Sequence, residues 1–293
     1  MKCVTLLTIS LLATGLLANS MIVPAKADSP LLLEAITGEG IEIPLLGKAV
    51  IDKPSIKSSQ TADQRAAVLK AIAGGAGWKR FSRNSVVAPV SIDLDYLKDD
   101  AGTRMGHRVH LAFVVHASLE TLKDKDLMKQ MFSNDEKSED AEAVESEKIT
   151  DEDLSKLGIN SDDTTSFASV EFPLLDKVLV RGVLQLQQQT EDDTIVLAIK
   201  ADPRFGERNS WSPISDDGQT SPPDWRAYEG AGGYLSVTRL SETDGDGLSS
   251  ACLIESRFVV YEPVDWFSGS NLLRSKLPLM LQESARSLRR KLK

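Results

Sequence analysis

The chain is poor in the residues that most often carry chemistry: it has two cysteines, three histidines and 5% aromatic residues among 293 positions. Cys3 lies at the extreme start, so a chain trimmed there holds Cys252 alone, and one cysteine closes no internal disulfide. Stability must then come from a buried apolar core, which a chain of this length can supply. Cys252 alternates in step with Ile254, Phe258 and Val260, the pattern of an inert buried thiol and not of a nucleophile. His107, His110 and His116 sit close in sequence, but no HExxH or CxxC pattern surrounds them. On one strand, His110 and His116 would stand about 20 Å apart on one face with His107 on the other, too far for one metal ion.

Other signatures are missing too. No G-x-S-x-G is present, and Ser270 in "FSGSN" reads as a helix cap. "GEG" (Gly38 to Gly40) and "GAGG" (Gly230 to Gly233) lack the further glycine and the strand-to-helix setting of a phosphate loop, so both read as turns. In "ETDGDG", Glu242, Asp244, Asp246 and Gly247 match four places of a calcium loop. Leu253 stands where its bidentate Glu belongs, and the flanks read as strands, so a hairpin turn is expected. No metal or cofactor is expected.

What is present is an uneven distribution of charge. The net charge is −9, which argues against a nucleic-acid partner. Ser133 to Asp163 contains twelve acids and three lysines, whereas Asn271 to Lys293 carries seven basic residues against Glu283 alone. The acidic stretch is too poor in apolar residues to offset its chain entropy and reads as a disordered or loosely helical insertion over 133–164.

At the start, Lys2 precedes an apolar run from Val4 to Ala18, and Ala25-Lys26-Ala27 gives the small-x-small pattern read by a signal peptidase. The run falls short of the ~18–20 residues that span a bilayer. We therefore expect export, with cleavage before Asp28 and a periplasmic or extracellular location. Residues 28–60 read as an N-terminal extension, in which "GIEIPLL" is a short strand, and 61–293 as a single domain.

That domain opens with a capping box, Thr61 to Gln64, and a helix stopped at Gly74-Gly75. Six strand-like runs follow, near 90–96, 109–115, 177–188, 194–201, 233–240 and 251–261. Between the second and third, Ser118 to Phe132 has near-helical spacing ahead of the acidic stretch. A long connection, Pro203 to Gly232, carries Trp211, Trp225 and Tyr228 and reads as a packed loop or lid. After the last strand, "EPVDWF" leads into a helix starting at Ser268 or Ser270, with Leu273, Leu277, Leu281, Ser284, Leu288 and Leu292 on one stripe. Pro278 should kink or divide it.

Successive antiparallel strands closed by a long amphipathic helix define an α+β fold: a curved sheet of six or seven strands gripping a C-terminal helix. With Leu281, Leu288 and Arg289 near the end of that helix, the chain resembles the START-like, helix-grip superfamily of lipid-transfer proteins and polyketide cyclases. The resemblance covers roughly Thr61 to Lys293 and departs from the family pattern in the helix and acidic stretch between the second and third runs. It implies an apolar cavity for a hydrophobic or lipid-like ligand, with Trp225, Tyr228, Trp266, Phe267, Leu273 and Leu277 as the expected ligand-binding residues. Trp266 and Phe267 either close the end of the core or gate that cavity.

Non-catalytic binding or transfer of an apolar small molecule or lipid is the first reading. A cyclase- or hydrolase-type enzyme using Asp202, Tyr228 or Arg181 is the second. Peripheral contact with anionic lipid through Arg289, Arg290 and Lys291 of the basic C-terminal helix is the third.

Overall fold

The computed structural model describes residues 31–123, 149–159, 165–214 and 224–293. The expected signal peptide and most of the acidic insertion lie outside these residues. The elements in chain order are α1 (Leu32–Glu34, extended by a π-type turn Ala35–Glu39), β1 (Ile41–Ile43), β2 (Gly47–Ala49), α2 (Ala62–Ala73) and α3 (Trp78–Phe81). Then come β3 (Ser91–Lys98), β4 (Arg104–Val115), α4 (Leu119–Lys123), α5 (Asp151–Lys156), β5 (Thr165–Leu174), β6 (Val178–Glu191) and β7 (Thr194–Ala201). β8 (Ser210–Pro213), β9 (Arg226–Ala227), β10 (Ala231–Arg239), β11 (Cys252–Tyr261) and α6 (Leu272–Lys291) complete the chain.

Nine strands form one antiparallel sheet in the order β3-β4-β11-β10-β7-β6-β8-β9, with β5 on the other edge of β6. All six strand-like runs of the sequence lie in it. Three further strands, β5, β8 and β9, raise the count above six or seven, and "GIEIPLL" belongs to a separate β1–β2 hairpin.

The register sorts side chains by parity. Val109, Leu111, Phe113 and Val115 of β4 share a core with Ile195, Leu197 and Ile199 of β7, Leu235 and Val237 of β10, and Leu273, Leu277, Leu281 and Leu288 of α6. Val180 and Leu184 of β6 reach the same core from the far side of the sheet order, so the sheet wraps the helix. The opposite face is also covered. α2 and α3 bring Leu69, Ile72 and Phe81 onto Ala112, Val114 and Leu253. The N-terminal segment brings Ile36, Ile41 and Ile43 onto Ala198, Tyr234 and Val259. The result is a three-layered α+β domain of helix-grip architecture.

Several local expectations change. The capping box at Thr61 is formed as read, with Thr61 accepting from the Gln64 backbone and Gln64 from that of Thr61. α6 begins at Leu272, later than either serine, because Ser268 (φ 50) and Gly269 (φ 73) have left-handed backbone; Asn271 flanks the helix without capping it, its Oδ1 accepting from Arg104 at 2.6 Å and from the Tyr96 hydroxyl at 3.1 Å. Pro278 does not divide α6. As the seventh residue of the helix it cannot donate to the Arg274 carbonyl, a loss that the burial of the Leu273–Leu288 stripe offsets. In "GAGG", Gly230 is a turn residue with φ 97, but Gly232 and Gly233 already belong to β10. The "ETDGDG" segment is wider than a tight hairpin turn: Glu242–Asp244 forms a short 3-10 turn between β10 and β11, and Glu242 accepts from the Gly247 backbone.

Candidate functional site

A cavity of about 110 Å³ opens in the core between the sheet and the start of α6. Its origin is legible in the strands around it. On the inner face, Val180 and Leu184 of β6 flank Gly182, and Ile199 of β7 is followed by Ala201. β10 contributes Ala231 and Gly233 before its first large inner residue, Leu235. Four small residues thus meet where their neighbours carry branched side chains, and the missing volume is the cavity. Gly233 has a second reason to lack a side chain, since a Cβ there would lie 2.2 Å from the Arg257 carbonyl oxygen on β11. Gly106 on the other neighbour of β11 is constrained alike, 2.2 Å from the Val260 oxygen.

One end is closed by aromatics. Trp266, on a 3-10 turn (Val264–Trp266) after β11, stacks on Tyr228 at 5.2 Å between centroids. Trp211 and Phe267 meet it edge-on at 6.1 Å and 6.0 Å. Two residues with left-handed backbone, Ser268 (φ 50) and Gly269 (φ 73), then reverse the chain so that Leu273 and Leu277 of α6 cover the same space. Of the six residues expected to touch a ligand, Tyr228, Trp266, Leu273 and Leu277 line the cavity. Phe267 stands behind Trp266, buried. Trp225 is elsewhere: its ring lies under the Arg181 guanidinium at 3.9 Å, outside the cavity wall.

The closed end is fastened by a buried charge cluster. Glu262, the residue after β11, faces His107 Nε2 with its Oε2 at 2.5 Å and accepts from Arg104 at 2.9 Å through Oε1. Arg104 also donates to the Ser270 carbonyl, and Arg274 on α6 donates to Leu94 on β3, which ties the helix start to the sheet edge. At the other end of α6, Arg289 is buried among backbone carbonyls, donating to Val114, Ala88 and Pro89. Burial, together with Arg286 and Arg83 nearby, lowers its pKa to about 10, so it stays charged at neutral pH. Arg289 is therefore not a surface charge, and Arg290 is paired to Glu283 at 2.5 Å.

The polar groups weighed for catalysis are occupied. Asp202 is buried, holds Arg204 at 2.5 Å and does not line the cavity. The Tyr228 hydroxyl donates to the Tyr261 carbonyl at 3.2 Å, and burial, with Tyr261 and Glu262 beside it, pushes its pKa well above the ordinary phenol range. Arg181 donates to Ser210 at 2.7 Å. Asn209, which the sequence did not single out, bridges the gap on β6 where β7 ends and β8 begins. It accepts from the Val183 N–H at 2.7 Å and donates to the Asp202 carbonyl at 2.7 Å. Cys252 is free and fully buried, and burial raises its thiol pKa to about 12. Among the described residues, no group of three or more His, Cys, Asp or Glu is placed to hold a metal ion.

The order of strands around a C-terminal helix places the chain in the α+β, helix-grip class on its own topology. Solved structures similar to it include START domains. The lipid transfer and protein localization domain of human StarD13 is 12% identical over 69% of this chain and 84% of that one, with a TM-score of 0.38. Human STARD10 is 14% identical over 83% of this chain and 84% of that one, with a TM-score of 0.32. A putative uncharacterized protein from Rhizobium leguminosarum is 7% identical over 70% of this chain and 97% of that one, with a TM-score of 0.32. No family model and no curated protein matches the chain.

Proposed function

We propose that the protein is an exported, non-catalytic carrier that binds a hydrophobic, lipid-like molecule between its sheet and α6. The observation that carries this reading is the cavity itself, walled by Val170, Phe172, Leu184, Ile199, Phe258 and Leu277 and closed by Tyr228 and Trp266. Its polar neighbours favour binding over chemistry, because Asp202, Arg181 and the Tyr228 hydroxyl already serve internal partners.

At about 110 Å³ the cavity is smaller than the roughly 300–1,000 Å³ of most ligand pockets. A lipid-sized guest therefore requires the Val264–Leu277 cover or the edge strand β5 to move outward. Native mass spectrometry of the protein purified from its own host tests the reading: an apolar passenger is expected, and a consistently empty protein would count against it. N-terminal sequencing of exported material should begin at Asp28.

A further inference from the structure

β5 is an edge strand whose outer side is bare. It pairs with β6 alone, from Thr165 to Leu174 in unbroken register. Among the described residues, no group outside that ladder hydrogen-bonds to the backbone of residues 166–173. Residues 166–172 are each half-buried and Pro173 is exposed. The other edges of the sheet are guarded. β9 is two residues long. β3 carries Asp93, Asp95 and Lys98, has an irregular register between Leu97 and Lys98, and gives its Leu94 carbonyl to Arg274 at 2.8 Å. Short length, charge and irregularity are the usual defences of an edge, and a long edge without them is a template for another strand. β5 has Glu171 as its one charge and Pro173 as its one proline.

Pro173 shows which atoms face outward. It sits in the ladder opposite Leu179 although it has no N–H. The ladder stays whole there only if the proline nitrogen faces away from β6. Successive residues of an antiparallel strand turn their N–H and C=O groups to alternate sides. Phe167, Ser169 and Glu171 therefore present theirs to the bare edge as well, while Ala168, Val170 and Phe172 bond to β6 and turn their side chains to the core.

We propose that β5 pairs with β5 of a second copy of this chain, antiparallel about a two-fold axis at Ser169. In that register Ser169 exchanges both bonds with Ser169 of the second copy, and Phe167 does the same with Glu171. Every outward N–H and C=O from Phe167 to Glu171 is then satisfied, and Pro173 falls where its missing donor costs little. The side chains agree with the same register. Glu171 lies opposite Phe167, so no like charges meet, and on the core side the small Ala168 lies opposite Val170. The dimer does not depend on the carrier reading, but a paired β5 holds Val170 and Phe172 in the cavity wall and leaves the Val264–Leu277 cover as the part that moves.

Sedimentation velocity across a concentration series tests the dimer, and the wild-type protein should show a reversible monomer–dimer equilibrium. Glu171→Pro removes one outward N–H from each copy and spares the β6 ladder, so its circular dichroism should match wild type. Dimerisation should weaken about 5- to 150-fold, the range for two neutral hydrogen bonds. The register is read by mixing Ala168→Cys with Val170→Cys, both in a Cys3→Ser chain, where the buried Cys252 does not compete. Across the axis these positions form a non-hydrogen-bonded pair with Cα atoms about 4.5 Å apart, within the span of a disulfide. Oxidation should crosslink the mixture far more than either variant alone. A wild-type protein that stays monomeric at every concentration overturns the proposal. A dimer that Glu171→Pro leaves at full strength overturns it too, because the interface then lies elsewhere. Should Glu171→Pro fail to fold, the cysteine mixture decides: a crosslinked heterodimer supports the pairing and its absence overturns it.

Discussion

His107 Nε2 lies 2.5 Å from Glu262 Oε2, and neither side chain reaches solvent. The pair joins β4 to the residue that leaves β11 for the Trp266 turn, so it fixes where the aromatic cover begins. Arg104 on the other carboxylate oxygen prevents Glu262 from being a lone buried charge.

Within this cluster the energies should not add. Glu262→Gln and His107→Gln should each destabilise the protein, and the double variant should lose less than their sum. A coupling of about 1–3 kcal/mol is expected for residues in direct buried contact. Urea denaturation of the four proteins measures it. A coupling near zero would mean that the two side chains pack side by side without interacting.

Arg289 should be the residue of the basic C-terminal run that matters most for stability. Its Nε donates to Val114 at 2.9 Å and its Nη1 to Ala88 at 2.6 Å, so truncation strands buried carbonyls as well as removing a side chain. Arg289→Ala should cost about 3 kcal/mol or more, and Arg289→Lys should recover only part, because an ammonium cannot reach several carbonyls spread over a plane. Arg290→Ala, at an exposed pair, should cost less than about 1 kcal/mol. Chemical denaturation of the three variants gives the comparison.

Acid should loosen the N-terminal segment through Glu255. Burial alone would raise this carboxyl's pKa, but the His110 ring beside it and the hydrogen bonds from the Ser55 backbone and hydroxyl together bring it below the ordinary glutamate value. A carboxyl with a depressed folded-state pKa contributes stability that is present above its unfolded pKa of about 4.3 and is lost as pH falls through the folded value. The stability advantage of wild type over Glu255→Gln should therefore shrink below about pH 4. Denaturation midpoints of both proteins as the pH is lowered test the sign. An advantage that grows on acidification would contradict it.

Strands whose apolar residues alternate cleanly were legible in the sequence. The run near 109–115 is the C-terminal half of β4, where Val109, Leu111, Phe113 and Val115 alternate onto the core, and the run near 194–201 is the whole of β7, marked by its Val, Ile and Leu. β5 escaped notice although Ala168, Val170 and Phe172 alternate, because Pro173 and the preceding acidic run argue against a strand. It is tolerated here on an edge, pairing with β6 alone. β8 is shorter still, four residues with Trp211 between serines. At the site, Trp266 and Tyr228 stood out as aromatics in connections, but their stacking is a tertiary fact. His107, Glu262 and Asn209 carried no local signal, since their partners are 155 and 26 residues away or on another strand. Arg289 had one: it falls four residues after Ala285 and eight after Leu281, on the buried stripe.

Leu277 lies where the cover of the cavity and the gripping stripe of α6 coincide, so its truncation separates stability from capacity. The side chain is 3% exposed, lines the cavity and belongs to the main core. Leu277→Ala should cost about 3 kcal/mol, within the range for buried leucines whose surroundings relax only in part. The space it leaves joins a cavity that already exists, so a small apolar probe should bind the variant more tightly than the wild type and return part of the lost stability. At a probe concentration of 100 times its Kd, the recovery should be about 2.7 kcal/mol. Thermal melts of both proteins with and without the probe measure the cost and the recovery in one experiment. A variant that is destabilised but gains nothing from the probe would mean that the wall collapses inward, and that the void beside Leu277 is not held open by the sheet.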